Sequence, residues 1–249
     1  MIINKNFVLI IISFFFLGNC KNPKNDNKMR KNKVSITKSF YGKTKDNKKV
    51  DLYSFKNENG MQVDIINYGG IITSLKVPDK NSNIEDIVLG YNKLEDYINE
   101  NPYFGSIIGR YGNRIAKGKF NLNGNQYTLA TNNDENHLHG GNIGFDKVIW
   151  EAETKINSNS SSLILKYLSR DMEEGYPGNL YTTVTYKITN DNSVEIKYEA
   201  QTDKTTVINL TQHSYFNLSG DFNQSILNHK VKINANQFLP VNKSLIPTG

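Results

Sequence analysis

Tyr181-Thr-Thr-Val-Thr-Tyr-Lys-Ile-Thr189 and Ser193-Val-Glu-Ile-Lys-Tyr-Glu-Ala-Gln201 lie on either side of Asn190-Asp-Asn192. In both runs apolar and polar side chains alternate, which places every second side chain on one face of an extended backbone. Asn and Asp tolerate the conformations of a tight reversal, so the stretch reads as an antiparallel hairpin with one buried face.

The same grammar extends through the rest of the chain. Val50 to Phe55 and Gln62 to Asn67 read as strands with Asn59-Gly60 as the turn between them. Ile71 to Val77 follows Gly69-Gly70, Phe120 to Ala130 reads as a hairpin across Asn123-Gly124, and Leu163 to Leu168 is a further short apolar run. The one helical piece is short, about Lys93 to Asn99. Strands do not alternate with helices, and no Gly-rich phosphate loop opens a helix, which excludes a nucleotide-binding α/β fold. The expected class is all-β, a large antiparallel β-sandwich. In 249 residues, 37% hydrophobic and 11% aromatic, there is enough apolar material for a real core.

Charge is distributed unevenly. Residues 21–49 hold 11 Lys or Arg and 2 Asp or Glu, whereas residues 50–249 hold 18 basic and 22 acidic residues. The net charge of +6 therefore belongs to an N-terminal segment, and no basic face or recognition motif supports nucleic-acid binding. Residues 1–20 read as a lipoprotein-type signal peptide, with Lys5 ahead of the apolar run Phe7 to Leu17. Leu17-Gly18-Asn19-Cys20 resembles a bacterial lipobox, with Asn19 in place of the usual small residue and Cys20 as the lipidation site. Residues 21–33 read as a flexible basic tether, and residues 34–249 as the β-sandwich domain. The expected location is the cell envelope, lipid-anchored at the membrane periphery or in the periplasm. Cys20 is the only cysteine, so the body has no disulfide and no cysteine metal site.

Three polar clusters could carry chemistry. Thr211-Gln-His-Ser-Tyr-Phe-Asn-Leu218 follows the apolar run Val207 to Leu210, which sets His213 at the end of an expected strand among groups able to orient it. Gly109-Arg-Tyr-Gly-Asn-Arg-Ile-Ala116 offers two arginines, Arg110 and Arg114, and Asn113 as donors to a polyhydroxyl ligand. Asn136-His-Leu-His-Gly-Gly141 holds His137 and His139 two apart, on one side if the chain is extended, but a third ligand at metal spacing is not evident and no metal is assigned. Glu173 and Glu174 read as solvated loop charges rather than as a glycosidase pair.

Taken together the motifs resemble the galactose mutarotase (aldose 1-epimerase) family. They are Asn67-Tyr-Gly-Gly-Ile71, Gly109-Arg-Tyr-Gly-Asn-Arg-Ile-Ala-Lys-Gly118, His137-Leu-His-Gly-Gly141 with Gly144-Phe-Asp-Lys147, Glu174-Gly-Tyr-Pro-Gly178, His213-Ser-Tyr-Phe-Asn-Leu218, and Phe238-Leu-Pro-Val241 with Ile246-Pro-Thr-Gly249. The resemblance implies a β-sandwich with a sugar cleft, and a reaction that interconverts the α and β anomers of free aldoses by acid/base ring opening. It implies His213 as general acid and His139 as its assistant, with Asn113, Arg114, His139, His213, Ser214 and Tyr215 around the sugar. His137 takes no role.

The family's general base and a sugar-binding aspartate lie downstream of the Ile-Pro-Thr-Gly motif, within which this chain stops. The expectation is therefore a C-terminally truncated, inactive mutarotase with exposed sheet edges; Asp203 and Asp221 match no motif and are not promoted to the base. No cofactor is required, and a calcium ion comes from the resemblance alone. A monomer that takes a small aldose as partner is expected. The alternatives are a non-catalytic sugar-binding lipoprotein and a sugar-phosphate 1-epimerase.

Overall fold

The computed structural model describes residues 34–99 and 101–249. The expected signal peptide, Cys20 lipidation site and basic tether lie outside the described residues.

Two antiparallel sheets form the body. The first has the order β1 (Val34–Lys43), β2 (Lys49–Asn57), β3 (Gln62–Ile66), β4 (Ile72–Pro78) and β5 (Ile84–Asp86). One helical turn, α1 (Leu94–Ile98), follows it. Short strands come next: β6 (Ile107–Ile108), β7 (Arg114–Ile115), β8 (Lys119–Leu122), β9 (Asn125–Thr128) and β10 (His137–Leu138). The second sheet runs in order through β11 (Glu151–Ile156), β12 (Ser160–Ser169), β13 (Leu180–Thr189) and β14 (Val194–Thr202). A last two-residue strand, β15 (Thr211–Gln212), pairs with β6.

The hairpin read from the alternating runs is β13–β14, with Val184 opposite Tyr198 and Tyr186 opposite Ile196. Val184, Tyr186 and Ile188 are fully buried while Tyr181 is 57% exposed, so the period-two pattern does select one face. That face meets Leu163 and Leu165 of β12 and, across the sandwich, Phe55, Val63 and Ile65 of the first sheet in one core. Burying apolar side chains from two sheets against each other is the main stabilising term for such a fold. The first sheet is covered on its other side too, where Val50 and Ile66 pack with Tyr68, Ile71, Leu94 and Tyr97.

Polar stitches hold the layers in register. Tyr186 donates its hydroxyl to the Gly70 carbonyl at 2.8 Å, and Ser161 donates to the Val34 carbonyl at 2.7 Å. Asn57 reaches from the end of β2 to the β13–β14 turn, donating to the Thr189 carbonyl at 3.1 Å and to Asn192 Oδ1 at 2.7 Å.

One sequence expectation needs correction. Val207 to Leu210 forms no strand: only Asn209 makes an isolated parallel bridge, to Tyr111, and the strand before His213 is the two-residue β15. The sequence reading named no strand at β1, β5, β6, β7, β10 or β11; β1 and β11 are largely solvated and carry little apolar signal, and the others are only two or three residues long. Beyond Asp221 most side chains are exposed, Leu227, Phe238 and Val231 by 89%, 86% and 81%.

Candidate active site

The polar clusters converge because two short pairings draw their segments together. β7 pairs with β10, placing Arg114 opposite Leu138; β15 pairs with β6, placing Gln212 opposite Ile107. His213 is held in place by its backbone, with its N–H donating to the Ser106 carbonyl at 2.9 Å and its carbonyl accepting from Gly105 at 3.1 Å.

His139 and His213 end up side by side, ring centroids 5.1 Å apart and planes near perpendicular at 85°. The ring of Tyr215 lies 5.1 Å from His213. Asn113 donates its backbone N–H to Nδ1 of His139 at 2.9 Å, and the His139 N–H returns to the Asn113 carbonyl at 3.0 Å. An Nδ1 that accepts forces the neutral ring to carry its proton on Nε2. Burial, then the charges of His213, Arg114 and Lys147, push the His139 pKa down to about 4, so the ring is neutral near pH 7. Arg114 is oriented by Asn133 Oδ1 at 2.8 Å from its Nε and by Asn113 Oδ1 at 3.2 Å from Nη1.

Ser214 lies beside His213, yet its polar groups are engaged by Gln212: the hydroxyl accepts from Gln212 Nε2 at 2.9 Å and the N–H donates to Oε1 at 2.8 Å. Gln212 Nε2 also donates to the Gly105 carbonyl at 2.8 Å, so this side chain ties the His213 segment to the 101–106 loop.

Other sequence candidates turn out to be scaffold. Arg110, grouped with Arg114 as a ligand donor, is 2% exposed and donates to the carbonyls of Ser169, Arg170, Pro177 and Gly178 and to the Ser169 hydroxyl. His137 and His139 do not share partners, because the left-handed backbone at His139 (φ 52°) breaks the extended geometry. His137 is fully buried between the Ala130 carbonyl at 2.8 Å from Nδ1 and the Tyr176 hydroxyl at 2.6 Å from Nε2. Glu173 and Glu174 are not merely solvated: Glu174 accepts from the backbone N–H groups of Asn142 and Ile143 at 2.8 and 3.0 Å, and Glu173 from Ser169 and Tyr167. Asp203 accepts from Asn179, and Asp221 from the Asn223 and Gln224 turn.

Sequence reasoning missed Asn132, which clamps the glycine-rich segment by donating to the carbonyls of Leu138 and Gly141, both at 3.0 Å, and accepting from Leu138 N–H. It also missed Tyr103, whose ring touches both histidines. Asn132 stands in the polar run Thr131 to Asn136, where nothing distinguishes it from its neighbours, and Tyr103 follows Pro102 outside the three clusters. Among the described residues, no group of three or more His, Cys, Asp or Glu side chains is placed to hold a metal ion.

The site can be set beside known proteins. The aldose 1-epimerase family model matches residues 51–249. The chain is 45% identical over 217 residues to a galactose mutarotase from Sus scrofa, covering 87% of this chain and 62% of that protein. It is 37% identical over 196 residues to an aldose 1-epimerase from Escherichia coli strain K12, covering 79% of this chain and 56% of the relative. A solved aldose epimerase homologue from C. elegans superposes with a TM-score of 0.72 at 26% identity, over 87% of this chain and 60% of that one. A galactose 1-epimerase from Lactobacillus acidophilus gives 0.65 at 31% identity, over 74% and 54%. This chain thus spans 62% or less of the length of each of these relatives. With the family match running from residue 51 to residue 249 and carrying both histidines of the cluster, the chain belongs to the aldose 1-epimerase family.

Proposed function

We propose that the protein is an aldose 1-epimerase that interconverts the α and β anomers of free hexoses such as galactose and glucose. The observation that carries this reading is the paired imidazoles of His139 and His213, 5.1 Å apart, with the neutral His139 ring fixed through its Nδ1. Ring opening removes the proton from the anomeric hydroxyl, breaks the bond between the anomeric carbon and the ring oxygen, and delivers a proton to that oxygen. Rotation about the adjacent carbon–carbon bond and the reverse steps give the other anomer.

In this reading His213 supplies the proton to the ring oxygen, a contribution of roughly 10²–10⁴-fold for one positioned acid. His139 donates a hydrogen bond from Nε2 at the same end of the sugar. Arg114 and Asn113 hold sugar hydroxyls, and Tyr215 walls the acid. No hydrogen bond or ion pair brings a carboxylate to either imidazole among the described residues, so these residues are assigned the acid half of the reaction and water takes the anomeric proton. The chemistry calls on no redox or nucleotide cofactor. We also propose export and lipid anchoring through Cys20, supported by the order of charge, apolar run and cysteine in residues 1–20.

Polarimetry tests the activity. Against the expectation of an inactive chain, acid catalysis alone should let the full chain speed the decay of optical rotation of freshly dissolved α-galactose or α-glucose, and the His213→Ala chain should not. Saturable galactose binding with no acceleration would instead leave a sugar-binding protein. The anchor is tested by labelled palmitate, whose incorporation Cys20→Ser should abolish.

A further inference from the structure

Tyr103 adopts a left-handed backbone at φ 65°, which is unfavourable for a bulky residue and persists only where the surroundings enforce it. Here they do. Asn101 Oδ1 accepts from Phe104 N–H at 2.8 Å, and Ser106 N–H donates to the Tyr103 carbonyl at 3.2 Å. The neighbouring Gly105 is bonded on both sides to the His213 segment, through the His213 carbonyl and the Gln212 side chain. Strained positions of this kind collect at functional sites, and the inference runs from the observed outlier to the role.

The strain aims the ring. Its centroid lies 4.7 Å from that of His139 at 77°, and 5.6 Å from that of His213 at 35°. Lys147 Nζ sits 5.5 Å from the centre of the same ring. That lysine is fixed by Asp146, only 5% exposed, whose Oδ2 lies 3.0 Å from the ammonium. A buried carboxylate and its ammonium partner therefore pin one side of Tyr103, and the two imidazoles contact it elsewhere.

We propose that Tyr103 is a positioning residue, its ring acting as a wedge that fixes the distance and angle between His139 and His213 and keeps water from His139. The ring does this, and the phenol hydroxyl is not needed. The kinetic part of the claim rests on the mutarotase reading; the geometric part does not. The groups facing His139 are the Tyr103 ring, His213, Arg114, Lys147 and the Asn113 amide. Removing the ring leaves the charges in place and removes the low-dielectric wall. The first cause of the low His139 pKa, burial, should then relax.

The test compares Tyr103→Phe, Tyr103→Asn and Tyr103→Gly in the full chain. Asn and Gly accept a left-handed backbone, so both delete the ring without adding strain. Imidazole NMR titration should show the His139 midpoint unchanged in Tyr103→Phe and raised by about one pH unit or more in the ring deletions. In mutarotation, kcat should fall about tenfold or more in the deletions, with KM within about threefold, as expected when only the reacting groups are misplaced. A merely structural tyrosine would lower the melting temperature and leave the His139 midpoint where it was. An unchanged midpoint in both deletions overturns the proposal, as does a Tyr103→Phe chain as impaired as the deletions. If the parent chain shows no mutarotation, the functional reading fails and the titration still decides the role of Tyr103.

Discussion

His139 and Asn113 are bound to each other twice, through Nδ1 and the Asn113 amide at 2.9 Å and through their backbones at 3.0 Å. Both residues have left-handed backbones, φ 52° and 68°. The tautomer of the imidazole is thus set by main chain rather than by a side chain that substitution could remove.

A pH dependence follows. The His139 pKa is lowered from its ordinary 6.5 to about 4, so between those values the unfolded chain binds more protons than the folded one. Its contribution to stability is full above about pH 6.5 and is lost as pH falls towards 4. Urea midpoints measured from pH 7 down to pH 4 should fall, and His139→Gln should flatten that slope. A slope that His139→Gln leaves intact would assign the effect to other groups.

The two histidine positions should separate cleanly. His213→Ala is expected to cost about 10²-fold or more in mutarotation with little loss of stability. His137→Ala removes a fully buried ring bonded to Ala130 and Tyr176, so it should lower the urea midpoint and spare kcat in the folded fraction. Equal kinetic losses would sink the division of roles.

Arg110→Met should destabilise the chain by about 3 kcal/mol or more, because several buried carbonyl acceptors lose their donor at once. Arg110→Lys should rescue little of this, since one ammonium cannot span the Ser169–Arg170 and Pro177–Gly178 carbonyls. Equilibrium unfolding of the three chains decides it.

At Gly140 (φ 89°) an added Cβ would lie 1.8 Å from the Gly109 carbonyl oxygen. Gly140→Ala should therefore cost about 2 kcal/mol or more and displace the adjacent His139, lowering kcat as well. Unfolding and polarimetry on one preparation would show whether both fall.

The exposed side chains of Leu227, Val231 and Phe238 should bind an apolar dye and promote self-association. Val231→Lys with Phe238→Lys should reduce both signals. Light scattering that is flat with concentration in the parent chain would count against this.

The sandwich was legible because alternation is a strong local signal wherever one face is buried, as in Val184, Tyr186 and Ile188. The motif-bearing histidines were legible through their sequence neighbours, and the structure brings His139 and His213 into contact. Arg110 was misread because the sequence shows a donor but not the carbonyls around it. Tyr103 was invisible for a related reason: its place beside two histidines depends on pairings between segments about 35 and 110 residues away, which no local pattern encodes. β11 stayed hidden because its side chains largely face water, leaving its pairing with β12 as the feature that makes it a strand.

The contacts made by Asn57 also bear on how the chain reaches this fold. They join positions 132 and 135 apart, whereas four residues separate β13 from β14. Loop-closure entropy grows with the logarithm of loop length, so local hairpins form before such distant contacts repay their ordering. The Asn57 amide should then be a late event in assembly, absent from the folding transition state. Its removal would speed unfolding and leave the refolding rate nearly untouched.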